Sequence, residues 1–264
     1  MNPHQISVRK AFDRHADTYD EKFSKQVLGE SIRLEVWRAA DDAFASASKV
    51  LDLGSGTGED AIHFARKGIQ VTAVDISPQM IGRLKEKAAA SGLSSNITPI
   101  VCAMDHYSPA ESDFDGIISN FGAVNCLSDL AWLRELAQRA LKPGSSVILT
   151  TMGRFYPLET AVLLLKGQFS RAFRRVTTAC EVSIERVPLR VHYHSLKDIR
   201  GTLGSQFRLE QVSGLRAFLP VPGWEHLEKS AIFRCLAPVD LMWCRWRFTA
   251  EYADHFVTVW RFQP

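Results

Sequence analysis

Three alternating glycines stand between an apolar run and a helical pattern, in VLDLGSGTGED at residues 50–60. Glycine tolerates positive φ and lets a ligand approach the main chain closely, so Gly54, Gly56 and Gly58 form a candidate binding loop. The spacing differs from G-x-G-x-x-G, and no G-K-[ST] of a phosphate-binding loop follows. The acidic pair at residues 59–60 would repel a pyrophosphate at the helix start. The loop therefore predicts a ligand with little negative charge, such as an ammonium group near Asp52.

Polar residues also end the next three apolar runs, at Asp75, Asp105 and Asn120. A carboxylate at Asp75 can accept two hydrogen bonds from a ribose diol, and Asp105 can accept from an exocyclic amine. With Asp52, four polar residues at four successive strand ends would face one crevice together with the glycine loop. Their shared position predicts a ligand site and is hard to explain by turn capping alone.

Alternating strand and helix patterns must position these residues. The predicted strands are residues 49–53, 71–74, 97–103, 115–119 and 146–151. The predicted helices are one from residue 61 that Gly68 ends, one that Ser77-Pro78 opens, and one over 128–141 that Pro143-Gly144 stops. Apolar strands that alternate with helices indicate a parallel sheet covered on both faces, which binds ligands at the carboxyl ends of its strands.

Composition bounds the class of protein. The chain has 264 residues, 46% of them hydrophobic, which fits one large α/β domain. A net charge of +3 is too close to neutral to indicate nucleic-acid binding by itself. No apolar run is long enough to span a bilayer, which favours a cytoplasmic protein. Five cysteines without a C-x-x-C pair argue against a disulfide framework and a zinc site.

At these motifs the chain resembles the class I S-adenosylmethionine-dependent methyltransferases that act on small molecules. The matching segments are VLDLGSGTG at 50–58, VTAVDISPQMI at 71–81, CAMDHY at 102–107, FDGIISNFGAVNCL at 114–127 and ALKPGSSVIL at 140–149. AFDRHADTYD at 11–20 is similar to the helix that precedes this fold. The resemblance implies a Rossmann-like, doubly wound, mostly parallel seven-stranded sheet with helices on both faces, N-terminal helices, and an insertion after strand five that forms a lid.

The resemblance also implies S-adenosyl-L-methionine as the cofactor and assigns it residues. Gly54, Ser55 and Gly56 would pass under its methionine part, and Asp52 would orient the ammonium. The remaining implied contacts are Asp75 to the ribose, Ile76, Met80, Met104 and His106 around the adenine, Asp105 to the adenine N6, the Asn120 main chain over the methionine, and Tyr19 as a cover. Methyl transfer is an in-line displacement that depends on alignment, so no catalytic residue is assigned.

The acceptor region is predicted in the rest of the chain. His192 and His194 alternate on one face of a probable strand, with an acceptor-site role or a polar surface position as the two interpretations and metal binding as the weaker one. His15 and Tyr19 stand at i, i+4 and would aim at the crevice from one helical face. Residues 155–176 combine an apolar run with Arg171, Arg174 and Arg175, which predicts either a lid with a basic face or a solvated face. Tryptophans from Trp224 to Trp260 are expected to pack in the core.

The chain is therefore interpreted as one methyltransferase domain. Its parts are a helical cap at 1–48, a cofactor-binding core at 49–151, an acceptor-pocket insertion with the sixth strand at 152–230, and a C-terminal helix and last strand at 231–264. The expected partner is a small acceptor, apolar or anionic, without nucleic acid or integral membrane association, and the protein is expected to be a monomer or homodimer. The alternatives are an RNA, protein or carrier-bound acceptor, or a cofactor-binding protein of the same fold that does not methylate.

Overall fold

The computed structural model describes residues 1–24, 27–109, 113–177, 179–218, 239–240 and 242–264. The helices are α1 Pro3–His15, α2 Val27–Ala43, α3 Glu59–Arg66, α4 Pro78–Ala90, α5 Ala131–Ala140, α6 Pro157–Leu165, α7 Phe169–Ala172 and α8 Leu196–Leu203, with a π-helical turn at Asp20–Ser24 and 3-10 turns at Ala123–Cys126 and Ala250–Tyr252. The strands are β1 Lys49–Leu53, β2 Gln70–Asp75, β3 Ile97–Val101, β4 Phe114–Ser119, β5 Leu141–Met152, β6 Ala179–Ile184, β7 Val187–His192, β8 Phe207–Leu215 and β9 His255–Phe262.

Seven strands form one sheet in the order β3-β2-β1-β4-β5-β9-β8. Strands β1 to β5 are parallel to one another, whereas β9 runs antiparallel between β5 and β8. This confirms the predicted α/β class with a mostly parallel seven-stranded sheet. The chain leaves β1 in one direction to β2 and β3 and returns on its other side with β4. The strand order therefore reverses at β1 and β4, and a crevice is expected at their carboxyl ends.

Successive residues of the central strands pack on opposite faces of the sheet. Val50 joins a cluster with residues of α2, α3 and α4, while Leu51 joins a cluster with residues of α5 and α8. In the same way, Ile118 belongs to the first cluster and Ile117 to the second. A parallel sheet with both faces covered needs apolar residues at almost every position, which explains the unbroken apolar runs in the sequence.

Helix α1 begins earlier than its sequence predicts. Asn2 caps it, and Gln5 closes a capping box with Asn2. The helix ends at His15, so the predicted helical face shared by His15 and Tyr19 is wrong. The two rings nevertheless meet edge to face at 5.3 Å across the turn that follows.

The insertion after β5 contains α6, α7 and a two-stranded hairpin of β6 and β7. The hairpin packs on α1, where Ala11 lies among Leu189, Val191 and Tyr193. The predicted strand with His192 and His194 on one face is also wrong, because β7 ends at His192.

The predicted basic face of residues 155–176 is wrong for two of its three arginines. Arg171 is exposed, but Arg175 is buried with its guanidinium between Glu159 at 2.7 Å and Asp254 at 2.5 Å. Arg174 also binds Glu159. These charges hold the insertion to the start of β9 and do not form a solvated face.

The predictions for the C-terminal part of the chain have three different outcomes. The last strand at His255–Phe262 is confirmed. Trp260 is buried as expected, whereas Trp243 and Trp246 are exposed. Trp224, Cys235 and the start of the predicted C-terminal helix lie outside the described residues. Among the described residues, no helix is long and apolar enough to cross a membrane, and no group of three or more metal-ligating side chains is present.

Candidate cofactor and acceptor site

The glycine loop connects β1 to α3 with positive φ at Gly54, Gly56 and Gly58. Its backbone is anchored by the N–H of Gly54, which donates to the carbonyl of Val74 at 2.8 Å. A Cβ on Gly54 would lie 2.5 Å from the Cβ of Ala123, whereas a Cβ on Gly56 would meet no atom within 4 Å. Gly56 therefore presents its bare backbone to open space, which is where a ligand can lie against the main chain.

Asp75 ties the end of β2 to this loop. One carboxylate oxygen accepts from the N–H of Gly56 at 2.9 Å, and the other accepts from the N–H of Ser77 at 2.8 Å. Burial raises the pKa of Asp75 to about 6, although these two hydrogen bonds act in the opposite direction. The carboxylate is fixed in place and keeps further acceptor positions for hydroxyl groups of a ligand.

Asp52, near the end of β1, is close enough to Asp60 and Asp75 to interact with their charges. It is 1% exposed, and its Oδ2 atom is buried without a hydrogen-bond partner among the described residues. Burial, followed by the charges of Asp60 and Asp75, raises the pKa of Asp52 well above its ordinary value. A carboxylate that is short of donors and close to other carboxylates favours a cationic ligand.

Asp60 is the centre of a buried network that the sequence did not predict. Its Oδ1 accepts from Arg33 at 2.9 Å and Trp37 at 2.7 Å, and its Oδ2 accepts from the side chain of Asn120 at 3.0 Å. The Arg33 guanidinium lies 4.3 Å from the ring centroid of Phe121. Asp60 thus fixes the loop after β4, so Asn120 has a positioned backbone. Only the acidic residue in the first turn of α3 hinted at this role.

Asp105 follows β3 and is held by the N-terminal helix. Both of its oxygens accept from the Nε2 of Gln5, at 3.0 and 2.9 Å. Gln5 is 2% exposed and also lines the cavity. No feature of the sequence linked these two residues, which are 100 positions apart.

The N-terminal segment 1–24 covers the crevice through several further hydrogen bonds. Asp13 accepts from the Ser77 hydroxyl at 2.6 Å, and Asp20 accepts from the Thr57 hydroxyl at 2.6 Å. Lys87 on α4 contacts both Asp20 and Glu59. Tyr19 lies within this cover, and burial raises the pKa of its phenol, so it stays protonated at neutral pH.

Together these elements enclose a cavity of about 960 Å³, including its opening to solvent. The described residues that line it all fall between His4 and Leu127. Ten of the twelve predicted cofactor residues are among them: Tyr19, Gly54, Ser55, Gly56, Asp75, Ile76, Met80, Met104, Asp105 and Asn120. Asp52 is not among the described residues that line the cavity, and His106 lines a neighbouring groove.

The neighbouring groove brings together residues of the core and of the insertion. Arg190 and His192 of β7 line it with His106 and Trp132, and His4, Asp105 and Leu127 belong to both spaces. Burial, followed by the positive charges of His194, His4 and Arg190, lowers the pKa of His192. His194 does not line the groove, and its Nε2 contacts the carbonyl of Leu127 at 3.1 Å.

The residues of the cavity fit an adenosyl sulfonium with an amino-acid tail. Glycine backbone faces open space, Asp52 and Ser55 have buried oxygens without hydrogen-bond partners among the described residues, and Asp75 and Asp105 are carboxylates, a group that can accept from a diol or an amine. Carboxylates outnumber the cations on its walls, since Glu59, Asp60, Asp75 and Asp105 face it with Arg33. Cys126 also lines the cavity, and burial raises the pKa of its thiol to about 12, so the thiol is not ionised at neutral pH.

The reversed strand order and a nucleoside-type crevice define a Rossmann-like α/β protein. Residues 50–144 match the family described as a methyltransferase domain. The chain is 34% identical over 141 residues to the tRNA 5-carboxymethoxyuridine methyltransferase of Escherichia coli. The aligned region covers 50% of this chain and 54% of that protein. The chain is 30% identical over 148 residues to a ubiquinone/menaquinone biosynthesis C-methyltransferase of Geotalea daltonii. That aligned region covers 54% of this chain and 61% of the relative.

Solved structures extend the likeness in fold to the whole chain. The 1,6-didemethyltoxoflavin-N1-methyltransferase of Burkholderia thailandensis, solved with its substrate and S-adenosylhomocysteine, has a TM-score of 0.60 at 14% identity and covers 100% of this chain and 92% of that one. The chain spans only about half to three-fifths of the curated relatives it matches. These comparisons confirm the predicted Rossmann-like fold, and the methyltransferase-domain match over residues 50–144 agrees with the predicted resemblance to class I S-adenosylmethionine-dependent methyltransferases.

Proposed function

We propose that the protein transfers the methyl group of S-adenosyl-L-methionine to a small organic acceptor. The observation that carries the proposal is the convergence of Asp75, Asp105 and the glycine loop on one cavity that the N-terminal segment covers. When bound, S-adenosylmethionine supplies an activated methyl group to a nucleophilic atom of the acceptor. We assign its binding to the ten predicted residues that line the cavity, together with Asp52, whereas His106, which lines the neighbouring groove, stays a prediction.

The chain's own residues would contribute binding and alignment. Asp75 would orient the ribose hydroxyls, because its two oxygens are already fixed by backbone N–H groups. The carboxylates at residues 52, 60 and 75 create a negative potential that favours a cation in the cavity. The hydrogen bonds of Asp13 and Asp20 hold the cover in place and exclude water. Alignment and exclusion of water are the main requirements of an in-line displacement.

A small acceptor is supported by the chemistry of the covering residues. Val8, Phe12 and Tyr19 place apolar and aromatic groups over the cavity, and the covering segment is tied to three elements of the core. The groove that contains Arg190 and His192 adjoins the cavity and is proposed as the way in for an acceptor with an anionic group. The cytoplasmic location, the oligomeric state and the role of residues 152–230 in the acceptor pocket stay predictions.

An RNA acceptor is the second candidate, favoured by the likeness to a tRNA methyltransferase. The carboxylates that face the cavity speak against it, because a polyanion is bound by lysine and arginine. Incubation with methyl-labelled cofactor and, separately, a small-metabolite extract, total RNA and a protein extract distinguishes the acceptors. We expect label in the metabolite fraction, and label confined to RNA or protein would overturn the small-molecule assignment.

Binding of the cofactor is tested separately from turnover. Calorimetric titration of the folded protein with S-adenosylhomocysteine should give saturable one-to-one binding. Absence of binding would remove the proposed function. Binding without transfer of label to any fraction would instead favour a non-methylating protein of the same fold.

A further inference from the structure

The amide of Gln5 occupies the position where the proposed cofactor needs to be recognised. Its Nε2 donates to both oxygens of Asp105, its Oε1 accepts from the N–H of Asn2 at 3.0 Å, and the side chain is buried. All the hydrogen-bonding groups of this carboxamide are therefore used in the ligand-free protein. The contact joins the covering helix to the wall of the cavity.

A carboxamide and the exocyclic amine of adenine offer the same chemistry to a carboxylate, namely a planar NH₂ donor. We propose that Gln5 is a placeholder for this amine, and that the cofactor binds by displacing Gln5 from Asp105. The inference rests on the proposed function, in which Asp105 accepts from the adenine N6. This exchange makes Gln5 a specificity-determining residue. A ligand that displaces Gln5 but offers no donor of its own would leave the Asp105 carboxylate without these hydrogen bonds.

The rest of the cover can stay in place during this exchange. Asp13 on Ser77 and Asp20 on Thr57 hold the later part of the segment, 8 to 15 residues beyond Gln5. The first turn of α1 depends on Gln5 through the capping box with Asn2, and the same turn is also held by His4, whose Nε2 contacts the carbonyl of Cys126 at 2.6 Å. The cofactor would therefore enter at the adenine end by loosening one helical turn.

A double-mutant cycle tests the exchange with S-adenosylhomocysteine as the probe. Gln5→Met keeps the length and helix propensity of the side chain but removes the competing donor. We expect this variant to bind about three- to thirtyfold more tightly than the wild type, which corresponds to one charge-assisted hydrogen bond that no longer has to be broken. In an Asp105→Ala background the same substitution should give no tightening, because the contested acceptor is gone.

Asn2→Ala is the matched control, because it weakens the helix cap but leaves the Gln5 amide on Asp105. It should not tighten binding, and tightening equal to that of Gln5→Met would assign the effect to helix fraying and overturn the proposal. Unchanged or weaker binding by Gln5→Met would also overturn it, since Gln5 would then position Asp105 for the ligand.

Hydrogen exchange gives a second readout. Binding of S-adenosylhomocysteine to the wild type should raise deuterium uptake at residues 3–7 while protecting the glycine loop. Protection at both places would mean that Gln5 stays on Asp105 and would contradict the exchange. Failure of the wild type to bind the probe at all would instead overturn the proposed function on which this inference rests.

Discussion

Two buried groups of charged side chains differ in how their charges are balanced. At the cavity, Asp52, Asp60 and Asp75 lie near one arginine, Arg33, and the pKa values of Asp52 and Asp75 are raised. Between the insertion and the start of β9, Glu159 and Asp254 are matched by buried arginines, including Arg175 and Arg216.

Asp254 shows the effect of this balance on its own titration. Burial alone would raise its pKa, but His255, Arg175 and Arg216 hold the pKa well below its ordinary value. The comparison separates a site from a structural ion-pair network. A network that completes its own charges supports the fold, whereas a surplus of carboxylate is a cost that a cationic ligand can offset.

The largest expected effect concerns the balanced network. Arg175→Met should lower the free energy of unfolding by about 3–5 kcal/mol, because it leaves Glu159 and Asp254 buried with too few partners. Urea denaturation measures this loss. Arg171→Met, on the exposed side of the same segment, is the control and should stay within about 0.5 kcal/mol of the wild type. Equal losses in the free energy of unfolding for the two variants would show that the buried network contributes no more to stability than the exposed arginine.

A smaller effect is expected for the carboxylates at the cavity. Asp75→Asn should weaken binding of S-adenosylhomocysteine by about 1–3 kcal/mol, since it removes a charged acceptor from the ribose hydroxyls. Calorimetry measures the affinity, and Asp113→Asn controls for the loss of a carboxylate far from the cavity. Unchanged affinity in Asp75→Asn would contradict the assigned site.

Acid should weaken cofactor binding through the same residue. The pKa of Asp75 is about 6 in the ligand-free protein, so the carboxylate is ionised above pH 7 and protonated below pH 5. The Kd for S-adenosylhomocysteine should therefore rise about tenfold from pH 7.5 to pH 5. Asp75→Asn should lack this dependence, and an identical pH profile in that variant would assign the titration to another group.

The contribution of Asp75 to folding stability has the opposite pH dependence. Because folding raises the pKa of Asp75 above its ordinary value of 3.8, its contribution to stability is fully present below that value and is lost as the pH rises through about 6. Binding and folding thus respond to this carboxylate in opposite directions.

The smallest expected effect is a gain in stability. Asp52→Asn removes one of the crowded buried carboxylates and should raise the free energy of unfolding at pH 8 by about 1 kcal/mol, while weakening cofactor binding. Thermal unfolding and calorimetry measure the two quantities. A loss of stability in this variant would contradict the idea of a carboxylate surplus.

The sequence predicted those parts of the site that depend on local pattern. Asp75 and Asp105 follow apolar strands and the glycines mark a turn, so their positions could be assigned from neighbours in the chain. Gln5 on Asp105 and Asp60 on Asn120 are separated by 100 and 60 residues. No periodicity encodes such contacts, which depend on how the elements pack in three dimensions.

Strand β5 illustrates the limit within one element. Pro143-Gly144 predicts a break, yet the strand runs from Leu141 to Met152. Its register with β4 shifts between Phe114 and Gly116, and β9 pairs with it only from Ser146 onward. Pro143 therefore lies at an irregular part of the ladder without a second neighbour, where its missing N–H costs little.

The hairpin of β6 and β7 stands behind the helix that covers the cavity. Helix α1 turns Val8 and Phe12 to the cavity and Ala11 to the hairpin. Changes in the hairpin can thus tilt α1 over the cavity while the strand ends that line the cavity keep their positions. Under the proposed function, a lineage with this architecture can diversify in its acceptors by altering the hairpin that supports a single helix.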